Sequence, residues 1–244
     1  FHTGMYINEV GGSFVGGITN SGSIASGVSY GLFIKSVADT GAASFTGNIV
    51  NSGSIASYLT GLYIEDVGSA GFSGNIANSG KIVSTNGDGV YVSSVANGIG
   101  ATFTGSILNT GTISAFVTGM DITNVGDDFA GGITNSGTIS ATGSDGLFVE
   151  DVNAISGGIV NTGTIRGNIG VDLVSASGDN LIDAGKVIGT GGTAIELADG
   201  NNNLILEAGY SISGTVSAGL SDELELGGTA AATFNLSNIG TQYV

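Results

Sequence analysis

The feature that most constrains the fold of this chain is a short motif that recurs along its length. The pattern Asn-(Ser/Thr)-Gly-x-Ile occurs six times, at steps of 31, 27, 31, 26 and 26 residues. A seventh, degenerate copy reads DAGKV from Asp183 to Val187. Self-similarity at a period of roughly 20 to 50 residues is typical of repeat architectures, in which one unit stacks on the next. The copies begin at Asn20, Asn51, Asn78, Asn109, Asn135 and Asn161.

Two further signatures accompany the motif. Upstream of each Asn lies Phe-x-Gly-x-Ile, in which Ile155 replaces the aromatic residue of the sixth copy. Downstream lies a segment that starts with Gly and alternates, as in GLFI and GLYI. The Phe residues are Phe14, Phe45, Phe72, Phe103 and Phe129, and the Gly residues are Gly4, Gly31, Gly61, Gly89, Gly119 and Gly146. Each repeat therefore carries three recognisable segments.

The residues within these segments alternate with a period of two. In FTGNIVNSGSIAS, the side chains of Phe45, Ile49 and Ile55 share one parity, and mostly small or polar residues share the other. This is the pattern of a strand with one buried and one solvated face. Strands this short cannot bury their apolar faces alone, so stacked repeats must build the core. The sequence predicts an all-β fold, a right-handed parallel β-helix with about three strands per rung and about eight to nine rungs.

Stacking also predicts a structural role for the repeated letters. Equivalent residues of successive rungs lie over one another, so the five Phe residues are expected to form an internal aromatic stack. The six Asn residues are expected to form a ladder of side-chain amides at a corner of the coil. The Gly two residues after each Asn is expected to adopt a positive φ, which a side chain would resist.

Composition agrees with stacked strands and limits the partners. The chain has no proline, as expected where both sides of every strand are hydrogen-bonded. Its formal net charge is -16, with only four basic residues. Nucleic acid and anionic membrane surfaces require clustered positive charge, so neither is an expected partner. One histidine and no cysteine make a zinc site improbable, and we expect no cofactor and no metal.

The C-terminal part of the chain changes character from about Gly178, where the Asn-Ser-Gly corner fades. It contains NNLIL at 202–206, ISGTV at 212–216, DELELGG at 222–228 and FNLSNIG at 234–240, followed by Tyr243. These segments resemble the region directly before the outer-membrane barrel in autotransporters of Gram-negative bacteria. The upstream Gly-x-Ile-x-Asn-(Ser/Thr)-Gly-x-Ile rungs are similar to the passenger domains of the same family.

This resemblance implies a passenger that is exported across the outer membrane through its own C-terminal barrel and displayed at the cell surface or secreted. It implies β-helix repeats over residues 1–198 and an autochaperone-like cap over residues 199–244. The membrane barrel and a signal peptide do not occur in this sequence, and Gly4-Met-Tyr-Ile7 already belongs to a repeat. We therefore expect the chain to be a fragment of a longer protein.

Parallel β-helices also include polysaccharide lyases and glycosidases, so the carboxylates need attention. Glycosidases require two carboxyl groups roughly 5 to 9.5 Å apart. Neighbouring residues of a strand are expected to face opposite ways, and alignment of the repeats places Glu65 and Glu150 three rungs apart. The sequence therefore predicts that the chain is not an enzyme, with a polysaccharide-degrading enzyme as the remaining alternative. The adjacent carboxylates considered are Glu65 with Asp66, Glu150 with Asp151, and Asp127 with Asp128.

The most informative outward feature is a column of aromatic residues, interrupted by Asp121. One interpretation of this column is a binding surface, since exposed rings can stack on sugars or pack against a second copy of the coil. The other interpretation is structural, in which the rings only contact one another between successive rungs. We predict an adhesin or self-association module, whose partner is another copy or a host or bacterial surface glycan or protein. The alternative is a stalk that displays an upstream domain. The column consists of Tyr6, Phe33, Tyr63, Tyr91 and Phe148.

Overall fold

The chain folds into a parallel β-solenoid, seen in a computed structural model that describes residues 3–126, 128–152, 154–174, 178–197, 200–230 and 233. All regular secondary structure in these residues is β, and the described strands form three sheets of 15, 5 and 9 strands. Every pairing between them is parallel, and the architecture is consistent with a right-handed parallel β-helix. The predicted fold class is confirmed.

The first sheet has two arms. The Gly-initiated segments form one arm, made of β1 (Met5–Val10), β5 (Leu32–Val37), β9 (Leu62–Val67), β13 (Val90–Val95), β17 (Met120–Val125), β21 (Leu147–Glu150) and β24 (Val171–Val174). The segments after the Asn motif form the other arm, made of β4 (Ser23–Ser26), β8 (Ser54–Ser57), β12 (Lys81–Ser84), β16 (Thr112–Ala115), β20 (Thr138–Ala141) and β23 (Thr164–Gly167). The long strand β26 (Lys186–Leu197) pairs with both arms and joins them. The strand β28 (Ser211–Ser217) belongs to neither arm and pairs with β26.

The remaining segments of each repeat form the second and third sheets. The Phe residues lie in two-residue strands, β2 (Phe14–Val15), β6 (Phe45–Thr46), β10 (Phe72–Ser73), β14 (Thr102–Phe103) and β18 (Asp128–Phe129). The Ile-x-Asn segments and their C-terminal counterparts form β3 (Ile18–Asn20), β7 (Ile49–Asn51), β11 (Ile76–Asn78), β15 (Ile107–Asn109), β19 (Ile133–Asn135), β22 (Ile159–Asn161), β25 (Asn180–Asp183), β27 (Asn203–Leu206) and β29 (Glu223–Leu226).

The coil completes about seven turns, although its third sheet holds nine strands. The difference from the eight to nine rungs predicted arises because the last layers contribute strands to only some of the sheets. The described part of the C-terminal segment continues the same stacking, since β27 and β29 extend the third sheet and β28 extends the first. Residues 234–240 and Tyr243, which carry part of the family resemblance, lie outside the described residues.

A bend in the Gly-initiated strands was not predicted. In β9, Leu62, Ile64 and Val67 are buried, while Glu65 and Asp66 both lie on the outer side. Asp66 has a φ of 54°, in the left-handed region. This conformation interrupts the alternation of the strand, so two successive side chains lie on the same side. The equivalent residues of the other turns share this conformation: Glu9, Ser36, Ser94, Asn124 and Asp151.

The prediction that the Gly of the Asn-Ser-Gly corner adopts a positive φ was wrong. Gly53 and Gly80 are not among the residues with a positive φ. A Cβ on Gly53 would instead lie 2.0 Å from the carbonyl oxygen of Gly22, and one on Gly80 would lie 2.0 Å from that of Gly53. The corner therefore excludes side chains because successive backbones approach too closely.

The core follows the inner columns of the coil. The Phe rings of successive turns have centroids 4.6 to 4.9 Å apart, and four of the five are fully buried. Phe14 belongs to the first described turn and is half-buried. Ile, Leu and Val side chains from all three sheets fill the rest of the interior. This single continuous core fixes the register of the outward columns.

Candidate functional site

The outward aromatic column lies along the Gly-initiated arm of the first sheet. Strand register places Tyr6 beside Phe33, Phe33 beside Tyr63, and Tyr63 beside Tyr91. The ring centroids are 5.1, 4.7 and 4.9 Å apart, and the rings are stacked. We call these four residues the aromatic ladder. Phe148 does not join it, because Asp121 separates Phe148 from Tyr91 in the register.

Stacking determines which parts of the ladder remain free. The faces of Phe33 and Tyr63 lie against their neighbours, and Tyr30 packs at a tilt on both rings with centroids 4.9 Å away. Phe33 and Tyr63 therefore have a ring on each side, so the faces that a sugar would stack on are covered in these two residues. Tyr6 is the most exposed member, at 60%. The ladder is therefore better suited to contact a protein surface with its edges than to stack on a row of sugar rings.

A charged cluster lies beside the ladder. Lys35 Nζ contacts the carboxylate of Glu65 and is 3.9 Å from that of Asp66, and the hydroxyl of Tyr63 donates a hydrogen bond of 2.9 Å to Glu65. The hydrogen bond with Glu65 raises the pKa of Lys35. Burial, followed by the hydrogen bond to Glu65, raises the pKa of Tyr63. A lysine with a raised pKa is a poor general base, so these contacts describe a surface ion pair.

The carboxylate geometry corrects one premise of the sequence reasoning. Glu65 and Asp66 do not face opposite ways, because the left-handed conformation of Asp66 places both side chains outside, where they share Lys35. Asp151 has the same conformation after Glu150. Register does place Glu65, Ser93, Thr123 and Glu150 in one outward column, with Glu65 and Glu150 three rungs apart. Asp127 lies outside the described residues.

Below the ladder the same column becomes acidic. Asp121 is followed by Phe148, Asp172 and Glu196 in successive layers. Burial, and then the charge of Asp88, raises the pKa of Asp121 to about 7. Burial and the charge of Asp145 raise the pKa of Asp172 to about 6. One carboxylate oxygen of Asp121 is buried without a hydrogen bond, which agrees with the raised pKa of this residue.

The Asn motif forms a continuous amide ladder. Each Nδ2 donates to the Oδ1 of the next Asn at 2.7 to 2.9 Å, from Asn20 through Asn161, and these side chains are buried. Most of these Asn residues also donate to a backbone oxygen of the next turn at 3.3 to 3.5 Å. Asn161 donates to Asp183 Oδ1 at 2.7 Å, so the degenerate copy ends the ladder with a carboxylate.

A second, shorter ladder was missed by sequence reasoning. The backbone amides of Ile155, Asp179 and Asn202 donate to the side-chain oxygens of the Asx residue one turn later, at 2.7, 3.1 and 2.8 Å. The acceptors are Asp179, Asn202 and Asp222. A weak signal was present, because each acceptor directly precedes a strand whose second residue is Leu. Its spacing differs from that of the Asn motif, which is why the pattern was not recognised.

Sequence reasoning also missed the exposed aromatic residues at the corner between the two arms. Tyr58 follows β8 and Phe116 follows β16, and both side chains are about half exposed. Register places Gly27, Tyr58, Thr85, Phe116 and Thr142 in successive turns. Within the described part of the chain neither ring stacks on another aromatic ring. Beside Tyr58 lies an open groove of about 300 Å³.

Two negative findings apply to the described ranges. They contain no grouping of three or more His, Cys, Asp or Glu side chains that is arranged to hold a metal ion. They also contain no helix of the length and hydropathy needed to cross a membrane.

Comparisons of the chain with family models, curated proteins and solved structures found no match.

Proposed function

We propose that this chain is a non-catalytic passenger segment of an autotransporter, displayed at the cell surface or secreted, that acts by adhesion or self-association. The observation that carries the proposal is the aromatic ladder, in which four rings are held in register on the outer face of a continuous coil. Stacking already restricts the rotation of these side chains. A partner that packs on the ring edges therefore costs little additional side-chain entropy. The repeat motifs supply the family part of the proposal.

The direct test is clumping of cells that display the chain on their surface. Replacing Tyr63 and Tyr91 together with Ser removes the last two of the four rings of the ladder and leaves the buried columns unchanged. We expect clumping to be lost in this variant and retained in Thr123→Ala, which changes a residue of the same outer face. Unchanged clumping in the double variant would refute the role of the ladder.

A stalk that displays an upstream domain is the second candidate. It is favoured because, among the described strands, each turn pairs only with the turns next to it. Deletion of residues 51–108 removes two repeats and brings Asn109 into the position of Asn51. If adhesion survives this deletion, the repeats act as a spacer. If adhesion is lost while the coil still folds, the removed turns carry the adhesive surface.

The non-catalytic part of the proposal has its own measurement. Purified chain is incubated with a panel of host and bacterial polysaccharides, and bound protein and released reducing ends are recorded on the same samples. We expect no released product. Release that stops on replacement of Glu65 or Glu150 by Gln would replace this proposal with a polysaccharide-degrading enzyme.

A further inference from the structure

The corner groove beside Tyr58 differs from the rest of the surface. Ala25, Ala56 and Tyr58 line it, and Gly27 and Thr85 flank Tyr58 in the column. No charged side chain lines the groove, although the chain carries a net charge of -16. Its volume of about 300 Å³ lies at the lower end of the range of small-ligand sites, roughly 300 to 1,000 Å³.

The neighbours of Tyr58 leave the faces of its ring open. In the aromatic ladder each ring stacks on at least one ring of a neighbouring turn, whereas Tyr58 lies between Gly27, which has no side chain, and the short Thr85. A Cβ on Gly27 would meet no atom within 4 Å, so the column position next to Tyr58 in the preceding turn is open. Within the described residues the Tyr58 hydroxyl makes no hydrogen bond. The groove thus offers an uncovered aromatic face with a polar edge.

We propose that this groove binds a neutral sugar residue of a surface glycan, stacked on Tyr58; this deepens the adhesive function proposed above and rests on it. A sugar ring has an apolar face of C–H groups that packs on an aromatic ring, and hydroxyl groups at its rim. The methyl groups of Ala25 and Ala56 add apolar surface beside the Tyr58 ring. The Thr85 hydroxyl donates to the Ser57 carbonyl oxygen at 3.3 Å, so its own oxygen stays free to accept from the sugar.

The negative charge of the chain favours neutral glycans over anionic ones. The net charge of -16 repels anionic polymers, and the groove has no basic side chain that would pair with a carboxylate or sulfate. Oligomers of glucose, mannose or N-acetylglucosamine are therefore expected to bind more tightly than polygalacturonate. Phe116, two turns beyond Tyr58 and so about 10 Å along the corner, is placed to contact a further residue of the same oligomer.

The test measures binding of these four glycans by isothermal titration to the wild-type chain and to three variants. Tyr58→Ala removes the stacking face, and Gly27→Leu fills the groove from the opposite side. Gly22→Leu is the matched control, because Gly22 also has no atom within 4 Å of a Cβ and lies at a different corner. Circular dichroism of each variant establishes that the coil is intact.

We expect Tyr58→Ala and Gly27→Leu each to weaken binding of a neutral oligomer at least tenfold, and Gly22→Leu to bind like the wild-type chain. Equal affinity in all three variants would overturn the groove as the site and leave the adhesive function in place. Wild-type chain that binds none of the four glycans would also overturn the inference. The adhesive function would then depend on the separate clumping assay, whose variants lie in the aromatic ladder.

Discussion

Asp183 gives the sharpest test of how the amide ladder works, because it places a carboxyl where the motif has an amide. Its side chain is fully buried, and Oδ1 accepts from Asn161 Nδ2 and from the amide of Gly185. Oδ2 is buried and makes no hydrogen bond as an acceptor. In the other copies this position holds the Nδ2 donor, which faces backbone oxygens. We infer that Asp183 must carry a proton to donate in the same way.

The pKa of Asp183 agrees with this geometry. Burial raises it from 3.8 to about 6, although the hydrogen bonds from Asn161 and Gly185 lower it, and no charged side chain contributes. The folded state therefore binds the proton more tightly than the unfolded state does. The stabilisation is complete below pH 3.8 and is lost as the pH rises through about 6. A shift of about two units corresponds to about 3 kcal/mol of unfolding free energy, lost between about pH 4 and pH 7.

Asp183→Asn removes this titration and extends the ladder by one amide. The variant is expected to exceed the wild-type chain by up to about 3 kcal/mol in unfolding free energy at pH 8, and by less than about 0.5 kcal/mol at pH 4. The free energies come from urea unfolding followed by circular dichroism at intervals between pH 4 and pH 8. All other titrating groups are common to both chains, so the difference between the two curves reports this site.

Asn109→Asp is the matched control, because it introduces the same carboxyl in the middle of the ladder. Its Oδ2 would face Asn135 Oδ1, the acceptor that Asn109 Nδ2 now contacts at 2.8 Å. The control should lose stability relative to the wild-type chain, and the loss should grow as the pH rises. A gain in Asp183→Asn that is the same at pH 4 and pH 8 would refute the proton-donor argument.

Three further substitutions test the packing of the coil, each by the midpoint of urea unfolding. Gly80→Ala should lower the unfolding free energy by about 2 kcal/mol or more, because its Cβ would lie 2.0 Å from the Gly53 carbonyl oxygen. Gly22→Ala places its Cβ in open space and should be tolerated. Equal effects of the two substitutions would contradict the steric reason. Phe103→Ala should cost about 3 to 5 kcal/mol, and Phe14→Ala clearly less, since Phe103 is fully buried and Phe14 is not. Ser36→Asn should stabilise by about 0.5 kcal/mol, because Asn tolerates the φ of 52° better than Ser; Ser21→Asn, at a position without a positive φ, should show no such gain.

The inner columns of this fold follow from the sequence, and the outer corners do not. A Phe or Asn at a constant place in each repeat has the same neighbours above and below, so periodicity alone places it. The bend at Asp66 depends on a backbone conformation that Glu9, Ser36 and Asn124 reach with quite different side chains, so no residue type marked it. The groove at Tyr58 depends on the absence of a side chain at Gly27, one turn away. A missing side chain in a neighbouring turn can be identified only when the strand register is known.

This contrast also indicates where function has to lie. In the inner columns the same residue recurs because every turn has to pack on identical neighbours, so these positions distinguish no ligand. Along the outward column the residues change from the rings of the aromatic ladder to Asp121 and Asp172, and along the corner they alternate between Gly27, Tyr58 and Thr85. The side chains at these positions lie outside the hydrophobic core. A stacked coil can therefore vary its surface one turn at a time, and a partner that recognises this chain must contact the turns that differ.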